Sequence, residues 1–234
     1  MSYAAYQSTA AAHAPADIRA DFIRKTYAHL GGAILACTAL CAALMKSSFG
    51  EKLAFSLMNN WLLTLGAFIV AGWVAERWAS SGGSASKQYL GLGLYVVAQA
   101  IILLPILFIA DRAFPGENVI GTAGILTGVV FSGLTATVFM TKKDFSFVGQ
   151  ALSIASFAAL GFILVSMLFG FSLGSFFSSA MVVLAAGYIL YYTSNILRHY
   201  PIGSHVAASL ALFSAVALLF FYILQLVMSF AGDD

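Results

Sequence analysis

The chain has 234 residues, of which 61% are hydrophobic and 9% are charged, and its formal net charge is +2. About a quarter of the residues of a soluble domain are charged, so this composition excludes a water-soluble catalytic domain and predicts a protein whose main partner is the lipid bilayer. The sequence contains no phosphate-binding glycine-rich loop, dinucleotide fingerprint or basic nucleic-acid surface. We therefore expect no nucleic-acid partner.

The first residues predict a flexible tail. Residues 1–18 are rich in alanine, include His13 and Pro15, and contain no Lys or Arg. A cleavable signal peptide begins with basic residues, so we expect no such leader here. We predict a flexible cytoplasmic tail over residues 1–18 and one transmembrane domain over residues 19–234.

Seven apolar stretches follow, each long enough for a helix to cross the hydrocarbon core, which takes about 20 residues. They cover roughly residues 26–45, 58–75, 89–109, 119–140, 151–169, 176–192 and 206–230. Because the stretches are continuously apolar and do not alternate, they predict helices and not the strands of a membrane barrel. The predicted fold is an all-α integral membrane protein with seven transmembrane helices.

The basic residues predict the orientation of these helices. With seven spans the joints alternate between two sides, and eight Lys and Arg residues fall on the N-terminal side against three on the other. The positive-inside rule then places the N-terminus in the cytoplasm and the C-terminal Asp233 and Asp234 outside. The compact loops and the lack of a targeting peptide favour a bacterial inner membrane. The two sets of basic residues are Arg19, Arg24, Lys25, Arg77, Lys87, Lys142, Lys143 and Arg198, and Lys46, Lys52 and Arg112.

Small residues repeat along two of the predicted spans. Such residues let membrane helices approach closely, so we expect each row to be a packing face. The row in the last span predicts a helix that is surrounded by others. The rows are Gly124, Gly128, Ser132 and Ala136 in span four, and Ala207, Ala211 and Ala215 in span seven.

Two patterns suggest chemistry but have simpler interpretations. Residues 170–174 read G-F-S-L-G and match a nucleophile elbow, yet Ser172 lies in an outer joint with no histidine on that side, so we expect a turn. Cys37 and Cys41 share a helical face but lack further ligands for a metal. We expect no catalytic residue, no metal site and no cofactor, and therefore no enzyme.

Two acidic residues lie at joints of the N-terminal side. Glu76 ends the second span, and Asp144 follows Lys142 and Lys143 between spans four and five. These charges are typical of residues that reach the membrane surface or pair locally. Alternatively, Glu76 or Asp144 forms a gate by meeting a cation or a basic partner.

Several segments carry a resemblance to a known family. Residues 22–27 read F-I-R-K-T-Y and residues 141–149 read T-K-K-D-F-S-F-V-G. This resembles the Bax-inhibitor family, whose fourth joint typically reads T-K-(K/R)-D-F-S-F. Weaker, apolar matches fall in the family's order at residues 104–106, 188–191 and 209–213.

The resemblance implies a fold and a set of activities. It implies seven helices in which the last is central and is wrapped by two three-helix layers. Members are associated with calcium leak, with suppression of cell death in eukaryotes and, in bacteria, with a membrane-bound ATP-dependent protease. The implied mechanism uses two aspartates, in an L-Y-D segment of span six and an L-Y-L-D segment of span seven, which share a proton and gate a pore.

This chain departs from the family at both aspartates. The matched positions hold Tyr192 and Ala215, and spans six and seven contain no Asp or Glu before Asp233. Two adjacent carboxylates titrate as a coupled pair near neutral pH, which a phenol and a methyl group cannot do. We therefore expect at most weak calcium binding between these spans.

Three functions stay open on the sequence. The first is a calcium or cation leak with altered or lost pH gating, in which ions pass along Thr193, Ser194 and Ser214. The second is a non-conducting protein that binds a membrane protease through its cytoplasmic joints. The third is a structural subunit of a larger membrane complex.

Overall fold

The computed structural model describes residues 8–81 and 84–232. Over these residues the chain forms eight α-helices, and seven of them are long and apolar enough to cross a membrane. The prediction of an all-α membrane protein with seven spans is confirmed. The helices are α1 (Ala16–Met45), α2 (Ser48–Asn59), α3 (Trp61–Ala79), α4 (Ala85–Ala113), α5 (Val119–Thr141), α6 (Gly149–Phe169), α7 (Gly174–Arg198) and α8 (His205–Ala231).

Helix α2 is the element that the sequence analysis missed. Its 12 residues are too short to cross a bilayer. The hydroxyl of Ser47 caps the helix by accepting a hydrogen bond from the Gly50 amide at 3.0 Å. Gly50 is required there, because a β-carbon at this position would collide with the carbonyl of Leu44. The second span therefore begins at Trp61 and not at residue 58, and it continues to Ala79.

An ion pair joins α2 to the end of α4. The guanidinium of Arg112, near the end of α4, bonds to the carboxylate of Glu51 at 2.5 Å. The same guanidinium lies 5.2 Å from the ring centroid of Phe55 and 5.6 Å from that of Phe108. These contacts hold α2 against the end of α4 by charge and by cation–π attraction.

The segment before α1 is bonded to the joint between α7 and α8. The amide of Ala11 donates to the carbonyl of Tyr200 at 3.0 Å, and the amide of Ile202 donates to the carbonyl of Thr9 at 3.1 Å. Ala11 is fully buried. From Thr9 onward the segment is thus attached to this joint, and α1 begins at Ala16. Residues 1–7 lie outside the described residues, and the flexibility of residues 1–18 stays a prediction.

The chain divides into two compact units. One comprises the described residues of Met1–Arg112 together with Ile196–Phe213, and the other comprises Ala113–Asn195 together with the described residues of Ser214–Asp234. Helix α8 therefore contributes its first part to one unit and the rest to the other. Asp233 and Asp234, for which an outer location is predicted, lie outside the described residues.

In the first unit, the helix pairs have the directions that alternating spans require. His29 and Cys41 of α1 contact Tyr89 and Ala100 of α4, so these two helices run parallel. Helix α3 runs antiparallel to α4. Gly72 of α3 and Tyr95 of α4 lie in contact range, while Gly91, one turn earlier on α4, packs on the backbone near Ala79.

In the second unit, α7 is packed between α6 and α8. Gly187 of α7 faces Leu152 of α6, where a β-carbon would come within 2.7 Å of the leucine side chain. On the other side, the rings of Phe177 and Tyr222 meet edge to face with centroids 6.0 Å apart. Tyr222 belongs to a buried cluster with Ala159, Met181 and Leu184. Helix α7 is therefore held on one side by close packing at a glycine and on the other side by aromatic contacts.

Helix α8 is the most enclosed of the spans. Of its most apolar stretch 56% is buried, against 11% to 28% for five of the other six. Ala215 is buried and Ala211 is half-buried. The predicted enclosure of the last span agrees with these values, whereas the two three-helix layers stay a prediction.

The row of small residues on α5 faces away from the chain. Gly124, Gly128, Ser132 and Ala136 are all exposed, and a β-carbon on either glycine would meet open space. The buried residues of α5 lie on the adjacent face, at Val119, Ala123, Thr127 and Val138. The expected packing face therefore makes no close helix contact within the described chain, because α5 packs through the residues beside it.

Candidate functional site

The joint between α5 and α6 has a defined conformation. Lys142 ends α5 in the left-handed region, at φ 50°, and its amide bonds to the carbonyl of Val138 at 3.0 Å. Two residues later the carboxylate of Asp144 accepts a hydrogen bond from the amide of Ser146 at 2.9 Å. This side chain-to-backbone bond is typical of an Asx turn. The most specific motif of the sequence is thus folded by its own side chain.

The same joint is attached to α7 through one serine. The Ser194 hydroxyl donates to the Asp144 carboxylate at 3.3 Å and accepts from the Phe145 amide at 2.9 Å. Ser194 is fully buried, while Asp144 is exposed. We call these three residues the Asp144 latch. It ties the joint to α7 two residues beyond Tyr192.

Tyr192 lies in a group of three tyrosines. Its ring stacks on Tyr188 with centroids 5.6 Å apart and meets Tyr191 at 5.3 Å. The Tyr188 hydroxyl shares a hydrogen bond of 2.8 Å with Ser156 of α6. Gly149 leaves room for Tyr191, since a β-carbon there would come within 2.5 Å of its ring. We call Tyr188, Tyr191 and Tyr192 the tyrosine cluster.

Neither matched aspartate position has the chemistry of a calcium ligand set. Tyr192 offers one phenol within the tyrosine cluster, and Ala215 is a buried methyl group. Ser214, the residue before it, is half-buried and interacts within the structure. In the described ranges, no three His, Cys, Asp or Glu side chains are grouped so that they could hold a metal ion.

Several polar side chains lie inside the second unit. The hydroxyls of Thr135 and Thr193 are buried, and neither has a hydrogen-bond partner among the described residues. Towards the other end of α7, Ser178 donates to the side-chain oxygen of Gln225 at 2.7 Å. The sequence analysis missed this pair, although a glutamine inside an apolar stretch is a usable signal. Buried hydroxyls without a protein partner are typical of places where water or an ion binds.

Glu76 lies in the first unit. It is exposed at the end of α3, next to Arg77, whose guanidinium lies 5.4 Å from the ring centroid of Trp73. An arginine on an exposed tryptophan is typical of a side chain anchored at a membrane surface. A gating role for Glu76 stays a prediction.

The G-x-S-x-G segment forms a turn. Gly170 and Gly174 both have positive φ, at 71° and 69°, and Ser172 lies between them outside α6 and α7. A nucleophile elbow needs a strand before the serine, and α6 precedes it here.

Comparison with known proteins places the chain in a family. A family model described as "Inhibitor of apoptosis-promoting Bax1" matches residues 19–232. The chain belongs to the Bax inhibitor family. It is 29% identical to Bax inhibitor 1 of Schizosaccharomyces pombe, over 97% of this chain and 83% of that protein. It is 26% identical to the Arabidopsis thaliana protein LIFEGUARD 3, over 93% of this chain and 88% of that protein.

Bacterial relatives are also found. An uncharacterised Campylobacter jejuni protein is 28% identical over 89% of this chain and 88% of its own length. An uncharacterised Pseudomonas aeruginosa protein is 36% identical, but over 51% of this chain and 54% of its own length. The expectation of membership is thus confirmed over nearly the whole chain. The assignment of Tyr192 and Ala215 to the family's aspartate positions stays a prediction.

Proposed function

We propose that this protein is a Bax-inhibitor-type cation leak, with calcium among the ions, that lacks the acid-pair gate implied by its family. In this proposal the Asp144 latch holds the end of the pathway beside α7 closed. The proposal involves no catalytic step and no cofactor. Its location is a bacterial inner membrane, with the N-terminus in the cytoplasm.

The observation that carries the proposal is the latch itself. A buried serine of α7 is hydrogen-bonded to the one carboxylate of the α5–α6 joint, two residues from the matched aspartate position. The unpartnered hydroxyl of Thr193 lies next to that serine. Polar groups inside a membrane protein are costly and are typical of ion or water pathways. Opening the latch would release the carboxylate of Asp144, which is already exposed, and would expose Ser194 and Thr193 to a cation.

Flux measurements on purified protein in liposomes test the proposal. We expect a slow calcium leak that changes little between about pH 6 and pH 8, because a tyrosine stays neutral there. Ser194→Ala should increase the leak by releasing the joint, whereas Ser179→Ala should not, since Ser179 is exposed on the same helix. Tyr192→Asp combined with Ala215→Asp should introduce a dependence on pH.

Two outcomes contradict the proposal. A steep dependence on pH in the unmodified protein would show that gating does not need the acid pair. Flux at the level of protein-free liposomes, both for the unmodified protein and for Ser194→Ala, would show that the protein does not conduct.

A second function is favoured by the exposed face of α5. Small residues on a membrane helix allow close approach of another helix, and none of the described residues covers the two glycines of this face. It suits a non-conducting accessory subunit of a membrane-bound protease or a larger membrane complex. Copurification of such a protease after gentle solubilisation should be lost in Gly128→Leu and kept in Val129→Leu. Equal copurification of the two variants would contradict this role.

A further inference from the structure

The first unit contains an open groove between α1 and α4. Its volume is about 410 Å³. The floor consists of buried Ala33, Leu92 and Val96, and the walls include exposed Gly32 and Gly93. The lining is apolar except at one end, where His29 and Tyr89 lie. A depression of this kind on a membrane helix pair is shaped to take an apolar chain.

The length of the groove fits one half of a bilayer. On α1 it extends from Ala28 to Ala36, which is about 12 Å at 1.5 Å per residue. Half of the hydrocarbon core measures about 15 Å. The polar end is the one nearer the start of α1, so the groove opens towards the membrane surface on the N-terminal side.

A hydrogen-bonded pair lies at the polar end. The Nδ1–H of His29 donates to the carbonyl of Lys25 at 2.7 Å, so the Nε2 atom of the neutral ring accepts from the Tyr89 hydroxyl at 3.3 Å. The two rings are stacked with centroids 5.5 Å apart, and His205 of α8 lies 5.1 Å from His29 on another side. Tyrosine side chains are typical of the headgroup region.

The charge next to this end is positive. Arg24 and Lys25 both bond to Asp21 at 2.7 Å, so two cations share one carboxylate and one net positive charge is left. Basic pockets between membrane helices on the cytoplasmic side are typical sites for anionic headgroups.

We propose that this groove binds an anionic phospholipid, with one acyl chain between α1 and α4 and the phosphate beside His29, Tyr89 and Lys25. The groove length, the apolar floor and the positive end are each matched by a part of this lipid. The site is independent of the proposed leak, because it lies in the other unit.

Native mass spectrometry of the purified protein with added lipid tests the proposal. We expect the protein to retain one phosphatidylglycerol at least several-fold better than phosphatidylcholine. Gly32→Leu and Gly93→Leu fill the groove from opposite walls, and both should lose this retention, because open space surrounds each glycine. Gly66→Leu is the matched control, since Gly66 is exposed in α3 of the same unit with open space around it.

The headgroup contact has its own variants. Lys25→Gln and His29→Gln should reduce the preference for phosphatidylglycerol, whereas Lys52→Gln, which removes a charge from α2, should not. Equal retention of the two lipids by the unmodified protein would overturn the proposal. It would also be overturned by unchanged retention in both groove-filling variants, or by a dimer that those variants convert to monomer, which would make a second copy the occupant.

Discussion

At the scale of single residues, Ser194 explains why the most specific motif of the sequence adopts its conformation. Its hydroxyl acts as donor to Asp144 and as acceptor from the Phe145 amide. A buried hydroxyl with both roles satisfied stabilises the two segments that it joins. Asp144 is therefore held by α7, as well as by its own turn, and this sets it apart from a freely solvated charge.

Ser194→Ala should destabilise the protein by about 1–3 kcal/mol, because the Phe145 amide loses its acceptor and the carboxylate loses a donor. The measurement is thermal or denaturant unfolding in detergent. Ser179→Ala removes an exposed hydroxyl that bonds only to the Ser175 carbonyl of its own helix, and it should change stability much less. Equal stability of the two variants would show that the latch does not contribute to folding.

The sequence predicted Asp144 as a candidate but could not predict its partner. The two residues are 50 positions apart, and one sequence carries no signal for such a contact. Tyr192 is different, because its assignment to an aspartate position follows from the resemblance of the sequence alone. Its stacking with Tyr188 and Tyr191 depends on the helical path of α7 and on the space at Gly149.

At the scale of elements, the spans were predictable and their faces were not. A membrane span is helical because its backbone groups cannot bond to water in the bilayer. It is long and apolar because it must cross the hydrocarbon core. Helix α2 is short and carries charged residues, so it does not produce that signal. The repeat of small residues on α5 predicts a face that another helix can approach closely. It does not indicate whether that helix belongs to the same chain.

Glycine substitutions separate buried helix contacts from exposed ones. Gly91→Leu should destabilise the protein strongly, by more than the roughly 1–3 kcal/mol of ordinary overpacking, because the side chain would collide with the backbone of α3 at Ala75 and Ala79. Gly128→Leu should be nearly neutral in detergent, as Val129→Leu should be, because both positions are exposed. Thermal unfolding of the three variants tests this order. A large loss in Gly128→Leu alone would place a helix against the α5 face.

At the scale of the whole molecule, contacts within the first unit group the N-terminus with two of the joints on one side of the helices. This grouping is expected for an odd number of spans. The segment at Ala10 pairs with Pro201 in the joint before the last span, and His29 of α1 contacts both Tyr89 at the start of α4 and His205 at the start of α8. The N-terminus, the joint before α4 and the joint before α8 therefore lie on one side. The sequence predicted this grouping from alternation alone.

These contacts group the joints on one side but do not show which side faces the cytoplasm. The basic residues predict which side that is. Eight Lys and Arg residues fall on the side of the N-terminus and three on the other, and this asymmetry predicts that the first side stays in the cytoplasm during insertion. A reporter that is active only outside the cytoplasm should work when fused after Asp234 and fail when inserted at Lys87. A matched reporter that is active only in the cytoplasm should give the reverse pattern. If the first reporter worked at Lys87 and failed at the C-terminus, the shared side would be the outer one, and the positive end of the α1–α4 groove would then face the opposite leaflet.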